Sequence, residues 1–155
     1  MLSMALLTSC YTTKLIPVNF SEPIVKMYEV SGTKDELFIN ANRWMISAFK
    51  DARSIIQYSD KTEGTLIGKY LLYYKSVIKD YYSSTSELNI YAIIEVTVKD
   101  GKARISITPD SWNNKQYTDA SGKEIDTYSQ EKAIADINAL CESFQKSLQT
   151  ESIKF

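Results

Sequence analysis

LNIYAIIEVTVKDGKARISI, residues 88–107, is the stretch that decides the fold class. From Leu88 to Val98 every second residue is apolar, and most of the residues between them are polar. This alternation predicts a β-strand with one face in the core. Asp100-Gly101 then predicts a type I′ hairpin turn, after which the alternation resumes on a return strand. The segment therefore predicts an antiparallel pair.

Three further strands are predicted upstream. Ile24–Val30 is rich in β-branched and aromatic residues, although apolar residues fall on both of its faces. Ser54–Ser59 and Thr65–Tyr74 predict two strands around a polar loop, in which Gly64 is a candidate for positive φ or a bulge. Gly68, inside the second of these strands, is another such candidate.

Two amphipathic helices flank the strands. Thr33 and Glu36 form a capping box, which predicts a helix that starts there and extends to about Phe49. A second helix is predicted from about Gln130 to Gln149, beginning near Ser129. The first apolar stripe comprises Leu37, Ala41, Trp44 or Met45, Ala48 and Phe49, and the second comprises Ile134, Ile137, Cys141, Phe144 and Leu148.

The order strand, helix, about four strands, helix predicts an α+β fold. An antiparallel sheet of about four to six strands with both helices on one face would bury both stripes. We expect Pro109 to stop the return strand, and the stretch from Trp112 to Ile125 to form a further short edge hairpin. With 155 residues and 44% hydrophobic content, the chain predicts a single domain over residues 24–150.

Composition excludes several classes of function. Lys plus Arg number 18 and Asp plus Glu number 19, so the charge excess that nucleic-acid binding uses is missing and we expect no nucleic-acid partner. Histidine is absent, which removes the usual general base, metal ligand and nucleophile partner. No glycine-rich phosphate-binding pattern occurs. We therefore predict no catalytic residues, no metal and no cofactor.

The amino-terminal segment MLSMALLTSC, residues 1–10, has an apolar stretch that runs into small residues and a cysteine. It is too short to span a bilayer, which takes about 20 apolar residues. Leu7-Thr8-Ser9-Cys10 resembles the lipobox of bacterial lipoproteins, which implies lipidation of Cys10 and removal of the residues before it. No Lys or Arg precedes the apolar stretch, so we expect a start codon further upstream.

The resemblance implies a protein of the cell envelope, expected at the outer membrane, with acyl chains on Cys10 as its membrane contact. Residues 11–23, which have two prolines and few periodic apolar positions, predict an extended tether between lipid and domain. A chance match would instead make the protein a cytosolic structural domain. Cys10 and Cys141 could in principle form a disulfide, but Cys141 falls on a helical apolar stripe, where we expect a buried, unpaired thiol.

A wider resemblance covers about residues 24–148. The early helix with Asn42-Arg43-Trp44, the segments Ser54–Asp60 (SIIQYSD) and Gly64–Gly68 (GTLIG), and Val98–Gly101 resemble the family named domain of unknown function 4468. The resemblance implies a Gram-negative envelope protein with a TATA-binding-protein-like fold. That name describes a shape, and DNA binding does not follow from it.

Tyrosine is the one unusual component, with 11 residues, six of them between positions 70 and 91. Tyrosine combines apolar area with a polar tip, which suits the recognition of an envelope protein, a peptide or a glycan. The alternative is that these tyrosines only line the two faces of a sheet. The candidate partner-binding residues are Tyr73, Tyr81, Tyr82 and Tyr91.

Acidic side chains provide the rival interpretation. Asp119, Glu124 and Asp126 cluster around a predicted turn, and paired carboxylates can hydrolyse glycosidic bonds. They lack the order of a calcium-binding loop. The leading hypothesis is a lipid-anchored, non-enzymatic binding or assembly module, and the alternative is a carboxylate-dependent envelope hydrolase.

Overall fold

The computed structural model of the protein describes residues 22–51, 53–78, 85–110, 117–118, 124–125 and 128–149. The elements are β1 (Ile24–Glu29), α1 (Lys34–Ala48), β2 (Ile55–Asp60), β3 (Thr65–Ile78), β4 (Thr85–Lys99), β5 (Lys102–Asp110), β6 (Tyr117–Thr118), β7 (Glu124–Ile125) and α2 (Gln130–Gln149).

The main sheet has five strands in the order β1-β5-β4-β3-β2, and every neighbouring pair is antiparallel. This confirms the predicted α+β class and element order. The predicted short hairpin is present as β6 and β7, but these strands form a separate two-stranded sheet and do not extend the edge of the main one.

The prediction that Pro109 stops β5 is wrong, because the strand continues to Asp110 with Pro109 opposite Ala92. Proline removes one backbone donor, which costs a ladder hydrogen bond where a strand has neighbours on both sides. The pairing of β1 with β5 ends at Ile107, so Pro109 has a strand neighbour on one side only. Proline is tolerated there for that reason.

Two glycines behave differently from each other. Gly64 has φ 70°, as expected of a turn residue, and its carbonyl accepts a hydrogen bond from Val98 N at 2.8 Å. Gly68 does not have a positive φ and lies opposite Ile56, next to a register shift in β2. An added Cβ at Gly68 would lie 2.5 Å from Cε2 of Phe49, so the absent side chain leaves room for that ring.

The core lies between one face of the sheet, here called the inner face, and the two helices. The strands contribute Leu66, Ala92, Ile94, Val96, Val98, Ala103, Ile105 and Ile107, all buried. The capping box of Thr33 and Glu36 is confirmed at the start of α1. On α2 the buried positions begin at Ala133, whereas the predicted Ile134 is only partly buried.

Both helices pack side by side on the inner face. The rings of Trp44 and Phe144 meet edge to face with centroids 5.0 Å apart, and Trp44 Nε1 donates to Ser143 Oγ at 3.1 Å. The hydroxyl of Tyr28 in β1 donates to the carbonyl of Cys141 at 3.1 Å. These contacts fix α2 over the β1 edge of the sheet.

Strands β3 and β4 extend beyond their neighbours. Pairing with β2 ends at Lys69 and pairing with β5 ends at Tyr91, yet β3 and β4 stay paired out to Ile78 and Thr85. Residues 73–78 and 85–90 therefore form a two-stranded arm, and this arm contains part of the tyrosine-rich segment.

Candidate partner-binding surface

The face of the sheet opposite the helices, here called the open face, is the candidate surface. Strand alternation and the strand register assign to it Val25, Met27, Ile55, Tyr58, Ile67, Lys69, Tyr74, Tyr91, Ile93, Glu95, Arg104 and Asp110. Met27 is 73% exposed and Ile55 is 51% exposed. Met27 lies on edge strand β1, whereas Ile55 lies with the exposed Tyr58 on the opposite edge strand β2. Exposed apolar side chains that lie together are typical of interaction sites.

Two ion pairs of opposite charge lie on the open face. Lys69 Nζ lies 3.1 Å from Asp110 Oδ2, and Arg104 Nη1 lies 3.1 Å from Glu95 Oε1. Lys69 Nζ also lies 4.6 Å from the centroid of the Tyr91 ring, in cation–π geometry. Lys69 and Arg104 are thus each paired with a carboxylate of the same face, while Lys99 and Lys102 lie exposed on this face at the β4–β5 turn.

Arg53, in the loop before β2, holds Tyr74 in place. Its guanidinium forms a bidentate ion pair with Asp51, in which Nε donates to Oδ1 at 2.9 Å and Nη2 donates to Oδ2 at 2.8 Å. Nη1 donates to Asn89 Oδ1 at 3.1 Å. Cζ of Arg53 lies over the Tyr74 ring, 4.0 Å from its centroid. Hydrogen bonds from the Arg53 side chain and backbone lower the pKa of Asp51 to about 2. Tyr74 is thereby presented in a fixed position.

Tyr58 lies on edge strand β2, with its ring on the open face opposite Ile67. Its hydroxyl donates towards Glu63 Oε2 at 3.2 Å and Asp60 Oδ2 at 3.4 Å. Desolvation, and then the charges of Glu63 and Asp60, raise the pKa of Tyr58. The phenol therefore stays neutral at physiological pH and offers an apolar ring with an anchored polar tip.

The predicted residue Tyr73 lies on the inner side of the sheet. Its ring stacks on that of Tyr128 with centroids 4.4 Å apart and an interplanar angle of 11°. Lys132 Nζ lies 5.5 Å from the Tyr73 ring centroid, and the Tyr128 hydroxyl donates to Asp136 Oδ2 at 2.7 Å. Tyr73 thus packs the base of the arm against Tyr128 and the start of α2.

Of the other predicted tyrosines, Tyr91 lies on the open face and is partly buried, while Tyr81 and Tyr82 lie outside the described residues. Sequence reasoning did not select Tyr58 or Tyr74 for the surface. Their strand positions were visible, but their face depends on register shifts, one in β2 and one between Leu71 and Tyr73 in β3.

The predicted cluster of Asp119, Glu124 and Asp126 lies mostly outside the described residues, so distances between its carboxylates are not described. Glu124 pairs with Thr118 as backbone in β7, while Asp119 and Asp126 lie outside the described residues. Within the described ranges, no group of three or more His, Cys, Asp or Glu side chains could hold a metal ion. Neither of the two described helices is long and apolar enough to cross a membrane.

Cys141 is the free, buried thiol expected from its place on α2, and burial is the main reason its pKa is raised. Such a thiol is a weak nucleophile. Cys10, together with the rest of residues 1–10, lies outside the described residues, and its lipidation stays a prediction from the sequence.

Comparisons with known proteins identify one matching family model and two solved structures that resemble the chain. A family model described as "Domain of unknown function (DUF4468) with TBP-like fold" matches residues 26–109. A crystallised TBP-like protein from Parabacteroides distasonis ATCC 8503 is 18% identical with a TM-score of 0.52, over 88% of this chain and 99% of that one. A DUF4468 family protein from Bacteroides ovatus ATCC 8483 is 12% identical with a TM-score of 0.47, over 96% of this chain and 95% of that one. No curated protein matches the chain significantly.

Proposed function

From the premise that the chain belongs to the DUF4468 family of domains with a TBP-like fold, we propose that it is a non-enzymatic binding module tethered to the cell envelope. In this proposal acyl chains on Cys10 hold the protein at the outer membrane, and the open face meets an envelope protein, peptide or glycan. Tyr91 is part of that face, and Tyr81 and Tyr82, which lie outside the described residues, stay candidate partner-binding residues in this proposal.

The open face is the single observation that carries the proposal. It presents fixed aromatic rings at Tyr58 and Tyr74, beside the exposed Ile55. Rigid aromatic side chains lose little conformational entropy on binding, and they dominate the affinity of many interfaces. The inner face has no comparable role, because both helices already cover it.

Electrostatics favour a neutral partner over a nucleic acid. Lys69 and Arg104 on the open face already pair with Asp110 and Glu95. Binding of Lys69 or Arg104 to a phosphate backbone would require breaking its ion pair, and the net charge of −1 gives no long-range attraction to a polyanion. Apolar contact combined with tyrosine hydroxyls fits a peptide or a glycan better.

Lipid anchoring is supported by the sequence Leu7-Thr8-Ser9-Cys10. Each buried methylene contributes about 0.8 kcal/mol, so two or three acyl chains on one cysteine anchor a protein stably. The tether of residues 11–23 leads directly into β1, which begins at Ile24. Mass spectrometry of the protein extracted from membranes tests this part. An intact amino terminus with an unmodified Cys10 would contradict it.

The binding part is tested with the full chain immobilised and exposed to envelope proteins, peptides and glycans. We expect Tyr58→Ser with Tyr74→Ser to lose at least tenfold in affinity for the captured partner. The matched control is Ile46→Ser on α1, which removes a side chain that is also exposed, but on the helix side. Equal binding by both variants would eliminate the open face as the site.

A further inference from the structure

We propose that strand β1 is a self-association edge, at which a second copy of this chain adds antiparallel to the sheet about a two-fold axis through Met27. This interaction uses the edge of the sheet, goes beyond the proposed function, and would make one continuous sheet from two copies. It would cover Val25 and Met27 at one margin of the open face and leave Tyr58 and Tyr74 free for a partner. A second copy is the occupant to which the chemistry of β1 points, for the reasons that follow.

The hydrogen-bonding groups of β1 determine which residues can pair at its outer edge. Val30 N donates to Gly101 O at 3.0 Å, so the Val30 N–H points towards β5. Backbone groups alternate in direction along an antiparallel strand. The N–H and C=O groups of Val25, Met27 and Glu29 therefore point away from β5. Among the described residues no strand pairs with them.

The two edges of the sheet differ in how they are protected. On edge strand β2 the register shifts between Ile56 and Tyr58, and such a bulge discourages the addition of another strand. Strand β1 pairs with β5 in unbroken register from Ile24 to Glu29. It has no proline or bulge inside it, so it is the regular edge.

The outward groups select one register. With Met27 opposite Met27 of the second copy, Val25 lies opposite Glu29 of the second copy, and the reverse pair follows by symmetry. All three outward residues then form hydrogen-bonded pairs, giving about six backbone hydrogen bonds at two per pair. A shift of one step along the strand would leave two such pairs and would place Lys26 opposite its own symmetry mate, which is unfavourable.

The charged residues of β1 fit the same register. Lys26 lies opposite Tyr28 of the second copy in this arrangement, and Glu29 lies opposite Val25, so no like charges face each other across the two-fold axis. The Tyr28 hydroxyl donates to the Cys141 carbonyl of its own copy, and the Lys26 side chain is exposed.

Apolar exposure is also concentrated at this edge. Met27 is the most exposed of the large hydrophobic side chains of the described residues, and Val25, on the same face, is 41% exposed. Pairing about Met27 would bring the two Met27 side chains together on the open face. The edge would thereby bury apolar area that a monomer leaves in water.

Disulfide trapping in the full chain tests the register, in a Cys10→Ser background that removes a competing thiol. Met27→Cys should cross-link efficiently under mild oxidation, because paired Cα atoms at a hydrogen-bonded position lie about 5.5 Å apart, within disulfide range. Val25→Cys is the matched control, since the two Val25 residues would lie about 14 Å apart at 3.4 Å per residue. Equal cross-linking of both variants, or of neither, would overturn the proposal.

Charge substitution tests the dimer without an added thiol. Met27→Lys places like charges opposite each other and should raise the dimer dissociation constant at least tenfold in sedimentation analysis. Val25→Lys places a lysine opposite Glu29 and should leave the dimer intact. Both side chains are exposed in the monomer, so neither substitution should lower its melting temperature. A wild-type chain that remains monomeric at millimolar concentration would refute the proposal.

Discussion

The two faces of strand β4 differ in what they contribute to the molecule. Ile94 and Val96 point towards the helices and are completely buried, whereas Ile93 and Glu95, one position earlier on each pleat, lie partly exposed on the open face. The same strand thus supplies the centre of the core and the centre of the candidate surface. This arrangement assigns stability to one face and leaves the other available for partners.

The difference extends to the kind of contact on each face. The inner face is held by close packing of apolar side chains, such as Phe144 against Trp44. The open face is held by exposed ion pairs and by cations over tyrosine rings, as at Arg53 and Tyr74. Buried packing is sensitive to the loss of one methylene, while exposed ion pairs contribute little. Substitutions on the two faces should therefore have very different costs.

The largest effect is expected from Ile137→Asp, which would place an unpaired charge in the fully buried stripe of α2. The cost should be about 4–5 kcal/mol or more, comparable to the whole stability of many domains. Urea denaturation measures it. Ala135→Asp, on the exposed side of the same helix, is the control and should change stability by less than about 0.5 kcal/mol. A small effect of Ile137→Asp would remove α2 from the core.

A smaller inner-face effect is expected from Gly68→Ala. The new methyl group would lie 2.5 Å from Cε2 of Phe49 and 3.1 Å from the carbonyl oxygen of Ile55, so the ring must move. Overpacking of this kind costs about 2 kcal/mol. Adding Phe49→Leu should recover part of that loss, and a double-mutant cycle measures the coupling. Additive effects would show that the Phe49 ring does not limit the space at Gly68.

The sequence predicted these two sites unequally. The stripe of α2 was predicted because Ile137, Cys141, Phe144 and Leu148 recur at helical spacing, and spacing along one helix is a local property. The reason for Gly68 was not predicted, because it depends on Phe49, which follows α1 and reaches the sheet through tertiary packing. Local periodicity therefore determined the elements and left the contacts between them undetermined.

The faces of the tyrosines were beyond sequence reasoning for a related reason. Register shifts lie within β2 and within β3, and each one exchanges the faces of all residues beyond it. Tyr73 therefore points to Tyr128, while Tyr74 reaches the open face. Tyr91, on the regular strand β4, follows the alternation. Predicting the others would have required the positions of both bulges.

Tyr128→Phe should cost about 1.5 kcal/mol, because it removes the hydrogen bond to the Asp136 carboxylate and keeps the stacking on Tyr73. Burial, and then the hydrogen bond to Asp136, raise the pKa of Tyr128 well above its usual value. A raised folded-state pKa gives stability that is complete below the unfolded pKa of about 10 and is lost as the pH rises above it. Melting temperatures between pH 8 and 11 measure this slope.

The alkaline slope is compared between the wild type and Tyr128→Phe. Tyr128→Phe should make the decline of the melting temperature above pH 10 shallower, although Tyr28 and Tyr70 also have raised pKa values and will keep part of it. Identical slopes for the two proteins would mean that Tyr128 ionises freely in the folded state.

The smallest effect is expected on the open face, at the ion pair of Arg104 and Glu95. Their side chains are 40% and 43% exposed, so water screens the attraction and the side-chain entropy offsets it. A double-mutant cycle with Arg104→Ala and Glu95→Ala should give a coupling of about 0.2–1 kcal/mol, decreasing in 0.5 M salt. A coupling well above that range would show that the open face also holds the fold together. A coupling near zero, together with altered partner affinity in Arg104→Ala, would show that this pair is placed for recognition and that the two faces of β4 have separate roles.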